Sequence, residues 1–508
     1  MSTWDPNAFQ KDDEAKLEDL GYKQQLLRNL DLLQSFGITY SVICTPFGIV
    51  FLFENGLLTG GPAIMSSGWI IVAFFSVLIG LSMAEIVSAA PASGGPYFWS
   101  SKLAPPEHSA FASWITGWFN CLGMISGTST VAFGLAGMIG TLATVKSTYE
   151  HTPGRQLALA TAIVVSWSIV NALGRRILRF IVYFATAVNS FGIVTISIAL
   201  LCKAPTRRPS SFVFGDFFDG TGPGATAGWS IRASPAYVAC CGALMAQYSI
   251  LFYDASAHLA EETTRATWVA PLSIISALGL SAFVGLFFLL ALLFSIQDII
   301  PTVTSIYNQP VLKILIDIFG EDGGMIVFVV ILVSSWACGL LCLTADSRLI
   351  FALSRDRALP GYFSKVSVRL LGPVRAIFLS AFLSFCFLLP SIASVCAFAA
   401  ITSISTIGML ISYGIPIAIG FIYQERFDQL KGPFNLRHWS RIIAAIVLTW
   451  ICFICIILCL PIATPITVNT FNYAPVAVGV VFISAKDLTG VNCNKSLEKL
   501  VSRSQQNP

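Results

Sequence analysis

The stretch WVAPLSIISALGLSAFVGLFFLLALLFSI, residues 268 to 296, contains no charged side chain. As an α-helix it would extend about 44 Å at 1.5 Å per residue, and the hydrocarbon core of a bilayer is only about 30 Å thick. Comparable runs recur on both sides of it, giving spans 33–52, 68–90, 110–141, 156–172, 179–202, 234–258, 268–296, 324–352, 375–390, 392–420, 441–461 and 466–484. Helix is the only conformation open to them, because backbone groups surrounded by lipid must be satisfied within the segment. The sequence therefore predicts an all-α integral membrane protein with about twelve transmembrane helices.

Composition agrees. The 508 residues are 55% hydrophobic and 11% charged, with mean hydropathy +0.77, whereas soluble chains carry roughly 25% charged residues. A net charge of +4 without a basic stripe interleaved with aromatics gives no reason to expect nucleic acid as a partner. The 13 cysteines fall almost wholly inside apolar runs, which argues for buried thiols and against a disulfide framework. The four histidines, His108, His151, His258 and His438, are scattered. No metal site, catalytic cluster or cofactor is expected, and the chain does not read as an enzyme.

The polar segment 1–32 lacks the short apolar core and small-residue cleavage site of a signal peptide, so span 1 is expected to act as the targeting signal. With the N-terminus inside, lysine and arginine outnumber those in the outer loops roughly three to one, which places both termini in the cytoplasm. Segment 203–233 is the longest outer loop. Its GDFFDGTGPGATAG sequence predicts mobility. Residues 485–508 form a cytoplasmic tail.

Polar and helix-breaking residues inside the spans mark where a solute would be held. Span 1 carries Tyr40, Ser41, Cys44, Thr45, Pro46, Phe47 and Gly48, where Pro46 removes a backbone donor and Gly48 permits close approach. Span 6 carries Tyr253, Asp254 and His258. A carboxylate in the membrane is costly, so Asp254 is a site candidate, with satisfaction by neighbouring hydroxyls or backbone as the alternative. Glu261 and Glu262 lie about 10 Å further along that helix and suit pairing with arginine at its inner end. Glu85, Asp346, Arg348, Arg355 and Asp356 are the other charges near inner helix ends, either structural pairs or elements of an inner gate.

At these same positions the chain resembles a known family. The segments SMAEIVSAAPASGGPYFW (Ser82 to Trp99), SWITGWFN (Ser113 to Asn120), YDASAHLAEET (Tyr253 to Thr263) and SRLIFALSRDRALP (Ser347 to Pro360) are similar to the amino acid/polyamine/organocation superfamily. The opening LGYKQQLLRNL and the late FNYAP fit its amino acid and choline transporter branch, with fungal GABA permeases and plant bidirectional amino acid transporters. The resemblance implies two inverted repeats of five helices, within 33–202 and 234–420, followed by two helices within 441–484. It also implies a secondary transporter of the plasma membrane, with an amino acid or GABA-like amine as substrate, the bilayer as surroundings and a proton or sodium ion as possible coupling partner. A choline or polyamine permease is the alternative.

By the same resemblance, amides near Thr45, Pro46, Phe47 and Gly48 in the helix 1 break would face a substrate carboxylate, Pro46 itself offering none. Residues Ile250, Leu251, Phe252, Tyr253 and Asp254 of helix 6 would face its amine. Two departures stand out. The family usually has glycine where this chain has Phe252, and proton-coupled relatives carry a helix 5 lysine where this chain has Asn189. Asparagine does not titrate, so a proton route through that residue is excluded.

Overall fold

The apolar runs fold as helices. A computed structural model of the chain describes residues 6–489 apart from 368, 369, 371, 393, 394 and 469. Ten helices among the described residues are long and apolar enough to cross a membrane. Helix 1 is made of two halves, 1a (Leu32–Ile43) and 1b (Thr45–Leu58). Helices 2, 3 and 4 are Gly61–Ala89, Pro106–Thr144 and Pro153–Ala172. Helix 5 consists of Arg175–Ala187 and Ile193–Lys203 on either side of a π turn, Val188–Gly192. Helix 6 is broken into 6a (Pro235–Ser249) and the short 6b (Ala255–His258), which continues as a 3-10 turn, Ala260–Glu262. Helix 7 is Ala266–Ser295, and helix 8, Pro310–Arg355, is kinked at Gly320. Helices 9 to 12 are Val374–Leu388, Val395–Ile422, Trp439–Leu458 and Ala474–Thr489.

Burial is distributed as a lipid solvent demands. Phe74, Phe180, Phe191, Phe283 and Phe382 lie exposed on the outside, while Asn120, Thr128, Asp254, His258 and Asp346 are buried within. In helix 1, 89% of the apolar window is buried, against 28% in helices 4 and 11. Helices 1, 3 and 6 are thus central and helices 4 and 11 peripheral, and a solute site within the protein must be built from the first group.

Three expectations need correction. The last span was expected at 466–484, but its helix begins at Ala474, where the Asn472 side chain accepts from the Ala474 amide at 3.1 Å and Pro475 sits in the first turn. Helix 8 begins well before residue 324, at Pro310, and bends where Gly320 takes φ 75°. The loop 203–233, expected to be mobile, is anchored by defined contacts. Its strand Phe218–Asp219 pairs with Thr59–Gly60 at the end of helix 1b. Asp219 accepts from the amides of Thr221, Gly228 and Ser230 at 2.8 to 3.0 Å and from the hydroxyls of Thr221 and Ser230. Burial works against its charge, but those donors outweigh it and hold the carboxyl below the usual carboxylate range.

Candidate functional site

The helix 1 break falls at Cys44, within the stretch from Tyr40 to Gly48 singled out from the sequence. Cys44 takes a left-handed conformation (φ 40°, ψ 62°), and helix 1b starts afresh at Thr45. Pro46 then sits in the first turn of a new helix, where a missing N–H costs nothing. Thr45, Pro46, Phe47 and Gly48 are all buried. Helix 6 stops at Ile250, whose amide still bonds to Ala246, and resumes with Ala257 and His258 bonding back to Asp254. The two breaks lie against each other: a Cβ on Gly48 would stand 2.6 Å from the Cα of Ser249.

Phe252 occupies the middle of the helix 6 break with φ 63°, a left-handed value that glycine adopts freely and phenylalanine does not. Its ring reaches helix 3, where a Cβ on Gly127 would meet Phe252 Cζ at 2.4 Å, and it packs edge-on against Tyr248. The departure at this position is therefore matched by a glycine on the facing helix. Replacing Phe252 with glycine is expected to relieve about 1 kcal/mol or more of backbone strain while emptying the volume of a phenyl ring beside the break. If the break holds a solute as the sequence resemblance implies, the variant should still carry it and accept bulkier side chains than the parent does. An unchanged ranking of substrates by side-chain size in uptake competition would sink that expectation.

Asn189 lies in the π turn of helix 5, a bulge often found where a helix meets a functional site. Its side-chain oxygen accepts from Ser334 of helix 8 and stands 3.9 Å from Cys44 Sγ, while its backbone oxygen accepts from Tyr40 at 3.2 Å. The equivalent of the expected ion position thus joins helices 1, 5 and 8 through neutral groups. Cys338, one turn further along helix 8, donates to the Val42 carbonyl and lies beside Cys342, adding thiols to the same wall.

Asp254 is not turned toward the break. Its Oδ1 accepts from Tyr413 at 2.8 Å, and its Oδ2 from Asn120 at 3.1 Å, with His258 Nε2 at 3.1 Å from the same oxygen. Both oxygens are thus engaged by groups of helices 3, 6 and 10, the alternative of satisfaction by neighbouring groups that the sequence left beside recognition of an amine. Ile250, Leu251 and Tyr253 are fully buried around it.

The charges at these helix ends separate into distinct contacts. Arg355 grips Glu261 with two nitrogens, at 2.8 and 3.0 Å, and Arg348 Nε meets Glu262 at 2.9 Å. Asp356 accepts from Tyr22 at 2.7 Å and Tyr97 at 2.9 Å, and the Arg355 guanidinium stacks 3.9 Å over the Tyr22 ring. Burial, reinforced by the Asp356 charge, raises the Tyr22 phenol well above its ordinary range. Asp346 does not join Arg348; it accepts from Thr128 of helix 3 at 2.7 Å. Glu85 belongs to another contact, receiving the Leu436 amide at 2.9 Å and the Ser440 hydroxyl at 2.6 Å, with Lys431 3.8 Å away.

The N-terminal segment closes over this layer. The amides of Asn29 and Leu30 both bond to the Glu262 carbonyl at 2.9 Å, and the Thr264 amide returns to Leu30. Gln24 and Arg28 reach the carbonyls of Glu261 and Thr263 at 2.8 and 2.7 Å.

The family model described as amino acid permease matches residues 30–483. The chain belongs to the amino acid permease family. This permease is 36% identical over 486 residues to the amino-acid permease BAT1 homolog of Oryza sativa subsp. japonica, covering 92% of each chain. Its identity to amino-acid permease BAT1 of Arabidopsis thaliana is also 36%, over 482 residues and 92% of each chain. An uncharacterized amino-acid permease of Schizosaccharomyces pombe is 30% identical over 478 residues, 93% of this chain and 86% of that one. The permease is thus a multi-pass integral membrane protein. Sequence reasoning passed over Tyr248, Ser334, Cys338 and Tyr413 around its breaks, since single polar or sulfur-bearing residues in apolar helices carry no spacing that sets them apart.

Proposed function

We propose that this permease is a secondary transporter that carries amino acids, or amino compounds such as GABA, across the plasma membrane by alternating access. The observation that carries the reading is the pair of facing breaks, at Cys44 in helix 1 and between Ile250 and Asp254 in helix 6. A broken helix offers free backbone groups and a half-helix dipole to a charged solute inside a membrane. In this reading the start of helix 1b, from Thr45 to Gly48, receives the substrate carboxylate. Carbonyls of Ile250 to Phe252 receive its amine, and Phe47, Tyr248 and Phe252 frame its side chain. The names of the plant relatives support amino acids as cargo.

Helices 1 to 5 and 6 to 10 are taken as two inverted repeats, each opening with a broken helix, and both termini as cytoplasmic. The paired layer around Glu261 and Glu262 is then an inner gate in its closed position. Reconstituted into liposomes, the protein is expected to take up at least one compound from a labelled panel of alanine, glutamate, arginine, GABA and choline. Excess GABA or a neutral amino acid should suppress that uptake. Suppression by choline alone would replace this reading with an organic-cation permease.

A further inference from the structure

We propose that a narrow crevice at the Arg348 end of helix 8 binds the headgroup phosphate of an anionic phospholipid. It is lined by Asn171 and Gly174 at the turn between helices 4 and 5, Leu178 of helix 5, Arg348 of helix 8, and Val374 and Ile377 of helix 9. The Arg348 side chain is only 5% exposed. A guanidinium stays charged in any surroundings and carries five N–H donors in a fixed fork. Here the donors are unevenly used. Nε donates to Glu262 at 2.9 Å, and Nη1 donates to the Ser347 hydroxyl at 3.0 Å and the Thr344 carbonyl at 3.4 Å. Nη2 has no hydrogen-bond partner among the described residues, and unlike Nε of Arg28 or Arg355 it is not sealed in. Since the rest of the side chain is shut off, the crevice is the space its hydrogens face.

The opposite wall adds backbone donors. Helix 5 starts at Arg175 behind Gly174 (φ 110°), which has no side chain to cap the first turn. The first amides of a helix have no partner within it, and Gly174 and Leu178, which bracket that turn, both line the crevice. An anion seated there would meet a guanidinium on one side and a helix N-terminus on the other. Nothing competes for those donors. No acidic side chain lines the crevice among the described residues, and Asn171 is already spent: it donates to the Trp167 and Leu340 carbonyls at 3.1 Å and accepts from Thr344 at 2.6 Å.

The surroundings select a lipid over a free ion. Helix 4 ends at Ala172, helix 5 starts at Arg175 and helix 9 starts at Val374, so the crevice lies where three membrane-crossing helices reach their ends. That is the level of lipid headgroups. Helices 4 and 5 are peripheral, with 28% and 33% of their apolar windows buried, which leaves the crevice open to the bilayer from the side. Leu370 lines it, Leu173, Ile177 and Phe378 adjoin lining residues in the chain, and all four are exposed apolar side chains suited to acyl chains. A basic pocket between helix ends with such a flank holds anionic headgroups. The site also reaches the ion-paired layer, because one guanidinium would serve both phosphate and Glu262. The two anions repel across it, so bound lipid weakens the hold of Arg348 on Glu262; on the transport reading above, this eases opening of the layer and speeds uptake.

The test uses the full chain in detergent with phosphatidylserine or phosphatidylcholine, and native mass spectrometry reads the lipid retained. Wild type should keep phosphatidylserine in preference to phosphatidylcholine. Ala172→Glu places a carboxylate in the crevice without touching the Arg348–Glu262 pair, and Arg348→Lys keeps a charge for Glu262 but has no second nitrogen for a phosphate. Each should weaken phosphatidylserine retention by about tenfold. Retention unchanged in Ala172→Glu overturns the proposal even where Arg348→Lys fails to fold, and so does equal retention of the two lipids by wild type. Inorganic phosphate alone should leave the melting temperature unmoved; stabilisation by it equal to that by phosphatidylserine makes the occupant a free ion and overturns the lipid. In proteoliposomes, wild-type uptake should be faster with phosphatidylserine than with phosphatidylcholine alone, and both variants should lose that difference. Selective retention with uptake indifferent to lipid overturns the link to Glu262 alone. A wild type that takes up nothing overturns the transport reading, while lipid retention still decides the site.

Discussion

Arg355→Ala is expected to reduce uptake about tenfold or more and to lower the melting temperature in detergent by several degrees. Glu261 is completely buried, and two of its hydrogen bonds come from that guanidinium. Removing one member of a buried ion pair typically costs about 3 to 5 kcal/mol, because the remaining charge has neither water nor partner. The loss is not confined to the pair, since the same guanidinium stacks on Tyr22 and lies 3.7 Å from Asp356. Lysine at this position keeps the charge but not the two-pronged contact, so Arg355→Lys should recover the function incompletely. Adding Glu261→Gln to Arg355→Ala should restore much of the lost stability. A single Arg355→Ala variant indistinguishable from wild type in melting and uptake would show that the pair contributes nothing.

Gly48→Val should abolish uptake while leaving the protein in the membrane. The added side chain would meet the Ser249 backbone at 2.6 Å, a contact that no rotamer change relieves. Overpacking a close helix crossing costs about 1 to 3 kcal/mol or more, and here the strain falls between the two broken helices. Displacing them by even 1 Å removes the backbone groups from the positions that hold the solute. Gly48→Ala should be milder but in the same direction. Radiolabelled uptake at matched membrane expression measures both, and near-normal transport by the valine variant would exclude a close approach of helices 1 and 6 during the cycle.

Much of this architecture was legible from residue order. The uncharged run 268–296 dictates a buried or lipid-facing helix whatever surrounds it, and helix 7 covers it nearly end to end. The break in helix 1 was visible in the stretch from Tyr40 to Gly48, but which residue of that stretch carries it was not. Proline marks the start of the second half as readily as the end of the first, and only backbone angles distinguish the two. The orientation of Asp254 was equally hidden. Beyond His258, four residues on, its partners come from residues 120 and 413, far apart in the chain and neutral, so no charge pattern announces them. Glu261 and Glu262 were easier, because acids at the end of an apolar helix call for arginines and the chain has them on helix 8. The firm seat of loop 203–233 escaped notice because its glycine-rich composition describes the unfolded segment, while its order comes from five bonds converging on Asp219.

Leu30 is the last residue bonded along Glu262–Thr264, and the next residue, Asp31, caps helix 1a by accepting the Gln34 amide at 2.8 Å. No slack separates the clasp from the helix. One residue spans about 3.5 Å at full extension, so any larger swing of helix 1a must pull Leu30 from its partners, then Asn29, then Arg28. The bonds open in succession from the helix end, as in a zipper, and no single step bears the whole cost. Reclosure is intramolecular, with an effective concentration in the millimolar range or above. In the alternating-access cycle proposed above, helix 1a would work as a lever with a returning spring whose rest position is the closed one.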